Sequence, residues 1–184
     1  MAVFPVLLDS CVLYPMYLRD TLLRMAEAEL YQVHWSQEIL DGATRNLVEA
    51  GRMTNSKAMR LQEMLKNAFP EAMVEVPPEL IAVMSNDPGD RHVLAAAVIA
   101  QATVIVTFNL KHFKSVALDP WGIEAQHPDV FLTHLHDLFP ELVTAVVQQQ
   151  AMDLQRPPLT VNELLILLSQ QVPEFTKLVQ LHTS

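Results

Sequence analysis

The sequence predicts an α/β protein: helices packed on a parallel sheet, followed by a region that is helical throughout. Two short, almost unbroken apolar runs, residues 3–8 and 103–107, have the composition of strands buried on both faces. The segments between them carry apolar residues at helical spacing, the connection that parallel strands require. Beyond Pro128 the helical period continues and no further strand run stands out.

Each element has its own signal. Asp9 ends the first apolar run. Leu18, Leu22, Met25, Ala26 and Leu30 then recur at helical spacing and predict a helix over residues 17–29. Trp35-Ser36 reads as a helix start with Ser36 as N-cap; Ile39, Leu40, Ala43, Leu47 and Ala50 form its apolar stripe, and Gly51 ends it. A further helix over residues 54–68 is expected to turn Met64 and Leu65 inward and to keep Lys57, Arg60 and Lys66 among its polar positions. Residues 80–84 read equally as a short strand or one helical turn. Asp87-Pro88-Gly89-Asp90 is a helix entry, with Asp87 as N-cap and Pro88 at the first helical position. The helix that follows, to about residue 102, is rich in Ala, which predicts a closely packed neighbour. The second strand leads directly into Phe108-Asn109. From Pro128, Val130, Leu132, Leu135 and Leu138 open the helical region, which Pro140, Pro157-Pro158 and Pro173 punctuate. The expected division is a first domain at residues 1–127 and a helical extension at 128–184.

With 184 residues, 51% of them hydrophobic, the chain can bury a proper core. Only 4 Gly argue against a glycine-rich phosphate loop, and 12 Lys and Arg against 21 Asp and Glu give a formal net charge of −9. That balance excludes coating nucleic acid by bulk positive charge, though not an enzyme with a metal-loaded acidic pocket. The single cysteine, Cys11, excludes an intramolecular disulfide and a cysteine-based zinc site. The start Met1-Ala2-Val3-Phe4-Pro5 lacks the charge of a secretory leader, and no apolar stretch approaches the roughly 20 residues of a bilayer span. A soluble cytoplasmic protein with no membrane partner is the expectation.

Ligands of open parallel sheets bind outside the carboxyl ends of the strands. Asp9 and Asn109 fall at such ends, and Glu38 and Asp90 fall in first helical turns on the same edge. Taken singly each has a structural reading: a carboxylate in a first turn gains about 0.3–1 kcal/mol from the helix dipole, and Asp or Asn often follows a strand as a turn former. Jointly, several carboxylates facing one cleft raise one another's pKa unless a cation shares the site. Hard oxygen ligands suit magnesium or manganese, and such a site can activate water for phosphodiester hydrolysis.

These residues carry a resemblance. Leu7-Leu8-Asp9-Ser10-Cys11-Val12-Leu13 resembles the opening strand motif of PIN-domain nucleases, and Trp35-Ser36-Gln37-Glu38-Ile39-Leu40 their second acidic motif. Asp87-Pro88-Gly89-Asp90-Arg91-His92-Val93-Leu94-Ala95-Ala96-Ala97 resembles the third, and Val104-Ile105-Val106-Thr107-Phe108-Asn109-Leu110 the fourth, in the family's order. The likeness covers residues 1 to about 125. It implies a three-layer α/β/α sandwich and, as in many bacterial members, a VapC-type toxin: a magnesium-dependent endoribonuclease held inactive by a cognate antitoxin. It assigns Asp9, Glu38 and Asp90 as metal ligands, with Mg2+ the expected ion and Mn2+ a substitute, and Asn109 as the fourth catalytic position. Many members have Asp there; Asn offers a carbonyl oxygen without charge, so one well-held cation is expected rather than a stable pair. The resemblance also implies an RNA substrate and homodimerisation.

An RNA backbone meeting an acidic protein needs local cations. Candidates are Arg19, Lys111, His112 and Lys114, with Lys57 and Arg60; a solvated surface is the alternative for each. Asp87 offers outer-shell help or a cap, Asp20 a fourth carboxylate or a helix-surface group, and His92 a packing or site role. His134 and His136 point about 200° apart on a helix and do not share a metal. Cys11 reads as a small core hydrophobe. Two other functions compete. One is a partner-binding module whose catalysis has decayed at Asn109, against which the intact Asp9, Glu38 and Asp90 argue. The other is a haloacid-dehalogenase-type phosphatase, which needs a second acid two residues after the nucleophile, where this chain has Cys11.

Overall fold

The computed structural model describes residues 3–183; Met1-Ala2, read above for a leader, lies outside them. In chain order the elements open with β1 (Pro5–Leu8), the single turn α1 (Ser10–Leu13) and α2 (Met16–Glu27). Then come β2 (Gln32–Ser36), α3 (Gln37–Glu49), α4 (Asn55–Ala68), β3 (Met73–Val74) and α5 (Pro78–Val83). A 3-10 turn (Pro88–Asp90) leads into α6 (Arg91–Ile99) and β4 (Val104–Val106); α7 (Ser115–Leu118) and β5 (Glu124–Gln126) follow. The rest is helical: α8 (Pro128–Leu138), α9 (Pro140–Asp153), α10 (Val161–Leu168) and α11 (Pro173–Thr183).

The sheet is parallel throughout, in the order β3-β2-β1-β4-β5. The chain winds outward from β1 through β2 to β3, then returns to the other side of β1 for β4 and β5. Right-handed crossovers in opposite directions put their helices on opposite faces, so α3 and α4 cover one face and α6 and α7 the other. This is the expected α/β/α sandwich. The register pairs Leu8 with Val106, so the carboxyl ends of β1 and β4 lie side by side where strand order reverses.

The buried runs hold the middle: Val6, Leu7, Leu8, Ile105 and Val106 are all fully buried. The alanines of α6 are too, and that helix packs on β1, β2 and β4, the close neighbour its composition predicts. Residues 80–83 are helical, within α5, and Met84 follows in extended conformation. Ser36 does cap α3, its Oγ accepting from the Ile39 N–H at 3.2 Å, but it is also the last residue of a strand the sequence reading passed over. Gly51 ends that helix with φ +67°, a conformation natural to glycine. Met64 is corrected: it is 61% exposed, while Ala58 and Leu65 are buried. Adjacent helical residues stand about 100° apart, so the narrow inward stripe of α4 takes Leu65 and leaves Met64 in water.

Packing divides the chain into two units, residues 3–14 with 31–126 and residues 15–30 with 127–183. The second unit therefore holds α2 as well as the C-terminal helices, where a linear division would separate them at 127. Within it α2 packs on α9 and α10. The Thr21 hydroxyl donates to Gln150 Oε1 at 2.8 Å, and Gln150 Nε2 donates to the Tyr17 carbonyl at 3.2 Å, giving a fully buried Gln its partners. Asp129 accepts from the Glu174 and Phe175 N–H groups at 3.1 and 2.8 Å, which seats the start of α11. A capping box of Thr160 and Glu163 opens α10. No single helix among the described residues is long and apolar enough to cross a membrane; α8 and α9 together are, but they are bent by 120°.

Candidate active site

The β1–β4 register builds the first half of the site. The Asp9 N–H donates to the Val106 carbonyl at 3.1 Å, which sets Asp9 beside Thr107. Asp9 is only 2% exposed. Its Oδ1 accepts from the Ser10 N–H at 2.6 Å, capping α1, and its Oδ2 accepts from the Thr107 hydroxyl at 2.8 Å. Burial pushes the Asp9 carboxyl above the ordinary carboxylate range; the charge of Asp90 pushes the same way, against the hydrogen bonds from Thr107, Cys11 and Ser10. The charge of Asp90 thus reaches Asp9.

Thr107 is the residue that sequence reasoning missed. Its Oγ1 donates to Asp9, accepts from the Asn109 N–H at 3.0 Å, and stands 3.5 Å from Cys11 Sγ. A polar residue closing a buried strand next to the strand that ends in Asp9 was the available signal. Cys11 is half-buried rather than fully packed, and its Sγ accepts from the Phe108 N–H at 3.3 Å. Burial, and then Asp9, push its thiol up to about 12, so it remains a protonated neighbour of the carboxylate.

The third motif supplies the second half. Asp87 Oδ1 accepts from the Gly89 N–H at 3.0 Å and caps the 3-10 turn, whereas Asp90 makes no side-chain cap. Free of that duty, Asp90 Oδ2 meets His112 Nδ1 at 2.6 Å. The backbone fixes the pair: Asn86 Nδ2 donates to the Asp90 carbonyl at 3.0 Å, the His112 N–H donates to the Asn109 carbonyl at 2.9 Å, and the Asp87 N–H donates to the His112 carbonyl at 3.3 Å. One ligand atom each from Asp87, Asp90 and His112 lie within 4.8 Å of one another. His112, expected among the RNA-facing cations, instead buttresses an acid, while Lys111 and Lys114 are exposed.

Glu38 stands in the first turn of α3, its side chain 64% exposed, with Oε2 3.8 Å from His92 Nδ1. Asn109 is half-buried, its backbone tied to Thr107 and His112. Asp20 is not an isolated fourth carboxylate: its Oδ1 accepts from Arg24 Nε at 3.0 Å within α2. His134 is exposed while His136 is buried against His182, so those two histidines do face apart.

A family model described as "PIN domain" matches residues 5–111. A second, described as "VapC50 C-terminal domain", matches residues 128–181. A Mycobacterium tuberculosis protein named "Putative ribonuclease VapC50" is 50% identical over 97 residues, which are 53% of this chain and 57% of that protein. The match thus spans little more than half the length of the curated relative. No solved structure gives a significant match.

Proposed function

The chain belongs to the PIN-domain family, and on that premise we propose that it is a metal-dependent endoribonuclease, the toxin of a type II toxin–antitoxin pair. The observation that carries the reading is a buried Asp9 where strand order reverses, its carboxyl raised by burial and by the charge of Asp90, which clusters with Asp87 and His112. A cation bound beside Asp9 would offset the burial and the charge of Asp90 that raise its carboxyl. The donor set is oxygen-rich and suits Mg2+, with Mn2+ as substitute. Asp9, Asp90 and Glu38 are the residues that would hold it. When bound, a divalent cation supplies positive charge to the phosphodiester and lowers the pKa of water.

The chain's own residues prepare that chemistry. Thr107 and Ser10 fix both oxygens of Asp9, so the carboxylate is oriented before any substrate arrives. His112 holds one oxygen of Asp90 and leaves the other free to serve the site. Asn109, placed by Thr107, offers a neutral amide where a fourth acid would add repulsion. Lys111 and Lys114, exposed just beyond it, supply phosphate contacts to an otherwise acidic surface. RNA is the proposed substrate, a cognate antitoxin the proposed partner, the cytoplasm the place of action, and the homodimer the proposed state.

Purified protein incubated with total RNA tests this directly. Discrete fragments should form with Mg2+ or Mn2+ and vanish with EDTA and in Asp9→Asn. Absence of metal-dependent cleavage by antitoxin-free protein would sink the nuclease reading.

A further inference from the structure

A cavity of about 560 Å³ opens beside the acidic site, wholly within the first unit. Its volume falls in the range of about 300–1,000 Å³ typical of small-molecule sites. Phe69, Met73, Val74, Val76 and Ile81 form its apolar walls. Glu38 and His92 line it too, and His92 lies in the first turn of α6, two residues after Asp90. Apart from Glu38 at its rim, the carboxylate chemistry uses none of this lining. Resting on the nuclease reading above, we propose that this cavity is a subsite for one unstacked nucleobase of the RNA substrate.

Three features select that occupant. The lining holds Glu38 and Glu75 against Lys66, so the cavity has more negative than positive charge and disfavours a phosphate. A neutral ring suits it. The half-buried Phe69 and the apolar walls offer the stacking surface on which splayed single-stranded bases are held. Polar atoms wait at the Glu38 end. His92 Nδ1 is buried without a hydrogen-bond partner. The Ser36 hydroxyl accepts from the Ile39 N–H and keeps its own proton for a ligand. A base edge can satisfy both, which a purely apolar side chain cannot. A base seated there brings its nucleotide beside Glu38 and His92, next to the acidic site. The cut site is then read by the identity of one base next to the scissile bond.

The test compares cut-site sequences for wild type and for Met73→Trp and Ile81→Trp, each of which fills the cavity from a half-buried position, with folding checked by thermal melting. The wild type should cut beside a preferred base, and the folded variants should lose that preference or fall about tenfold or more in kcat/KM on the preferred RNA. Unchanged cut sites and rates would overturn the subsite while leaving the nuclease in place. Variants that cut as the wild type does, yet escape a co-expressed antitoxin, would also overturn it and assign the cavity to the protein partner. Adenosine, guanosine, cytidine and uridine are titrated separately into methyl-labelled protein. One of them should shift the Met73 and Ile81 methyl resonances saturably; if none does, the subsite is wrong. If the wild type cuts no RNA, the nuclease reading fails and the nucleoside titration alone decides the subsite.

Discussion

Asp9 is held in a state that disfavours its own charge, and this has a measurable cost. Burial first, then Asp90, raise its pKa in the folded chain, so between the ordinary carboxylate value of about 4 and that raised value the native state binds more protons than the unfolded one. Stability of the metal-free protein therefore falls as pH rises through this window. Asp9→Asn, which carries no charge, should melt higher than the wild type at pH 7, and the difference should shrink as pH falls from the raised value toward about 4. Added Mg2+ should raise the melting temperature of the wild type more than that of the variant. A variant that melts lower than metal-free wild type at neutral pH would show that the Thr107 and Ser10 hydrogen bonds outweigh the buried charge. His112 makes the complementary case. It meets Asp90 at 2.6 Å and is pinned by backbone bonds at both its N–H and its carbonyl. His112→Ala should lower metal affinity or cleavage by about 10–100-fold, the usual effect of removing a group that orients a ligand. A magnesium titration of cleavage rate separates the two, and an unchanged curve would make His112 a surface contact.

At the scale of elements, the segment 87–90 shows why two acids three residues apart have different duties. Asp87 caps the 3-10 turn through Gly89, and Asp90 caps nothing. Asp87→Ala should therefore destabilise the fold by about 0.5–2 kcal/mol in urea unfolding, as loss of an N-cap does. Asp90→Asn should abolish cleavage at little cost in stability, and the reverse ranking would exchange the two roles. The sequence could be read this far because Pro88 fixes a helix start whatever surrounds it. The same logic made β1 and β4 visible, since strands buried on both faces must be apolar throughout. It failed for β2, β3 and β5. The runs Gln32-Val33-His34-Trp35-Ser36 and Glu124-Ala125-Gln126 carry polar residues, and Met73-Val74 is too short to show a period. Those strands exist because a neighbour already in place offers its backbone groups, which is a tertiary effect. For the site, the four motif positions could be proposed because strand ends and helix starts mark the sheet edge. Thr107 and the inward turn of His112 were not, since they depend on which strand ends lie adjacent and on backbone bonds between loops.

For the whole molecule, the question is whether the chain can be cut where its sequence changes character. The composition places a boundary at 127/128, and the model matching residues 128–181 begins there too. The packing crosses that boundary. Helix α2 lies in the second unit with the C-terminal helices, and Leu18, Leu22 and Met25 on it are fully buried. Removing residues 128–184 strips α9 and α10 from this face, together with Gln150 from Thr21 and Asp153 from Arg24. Burying a Leu or Met side chain stabilises by about 1.5–3 kcal/mol, and three such residues left facing water form a patch that invites association. A fragment of residues 1–127 should therefore aggregate, or melt well below the full chain, although it contains every acidic motif. Leu18→Gln, Leu22→Gln and Met25→Gln together should restore its solubility, because they remove the patch without touching the sheet. A soluble, cooperatively melting 1–127 fragment with wild-type cleavage would show instead that the helical region is an independent appendage and that α2 holds its place without it.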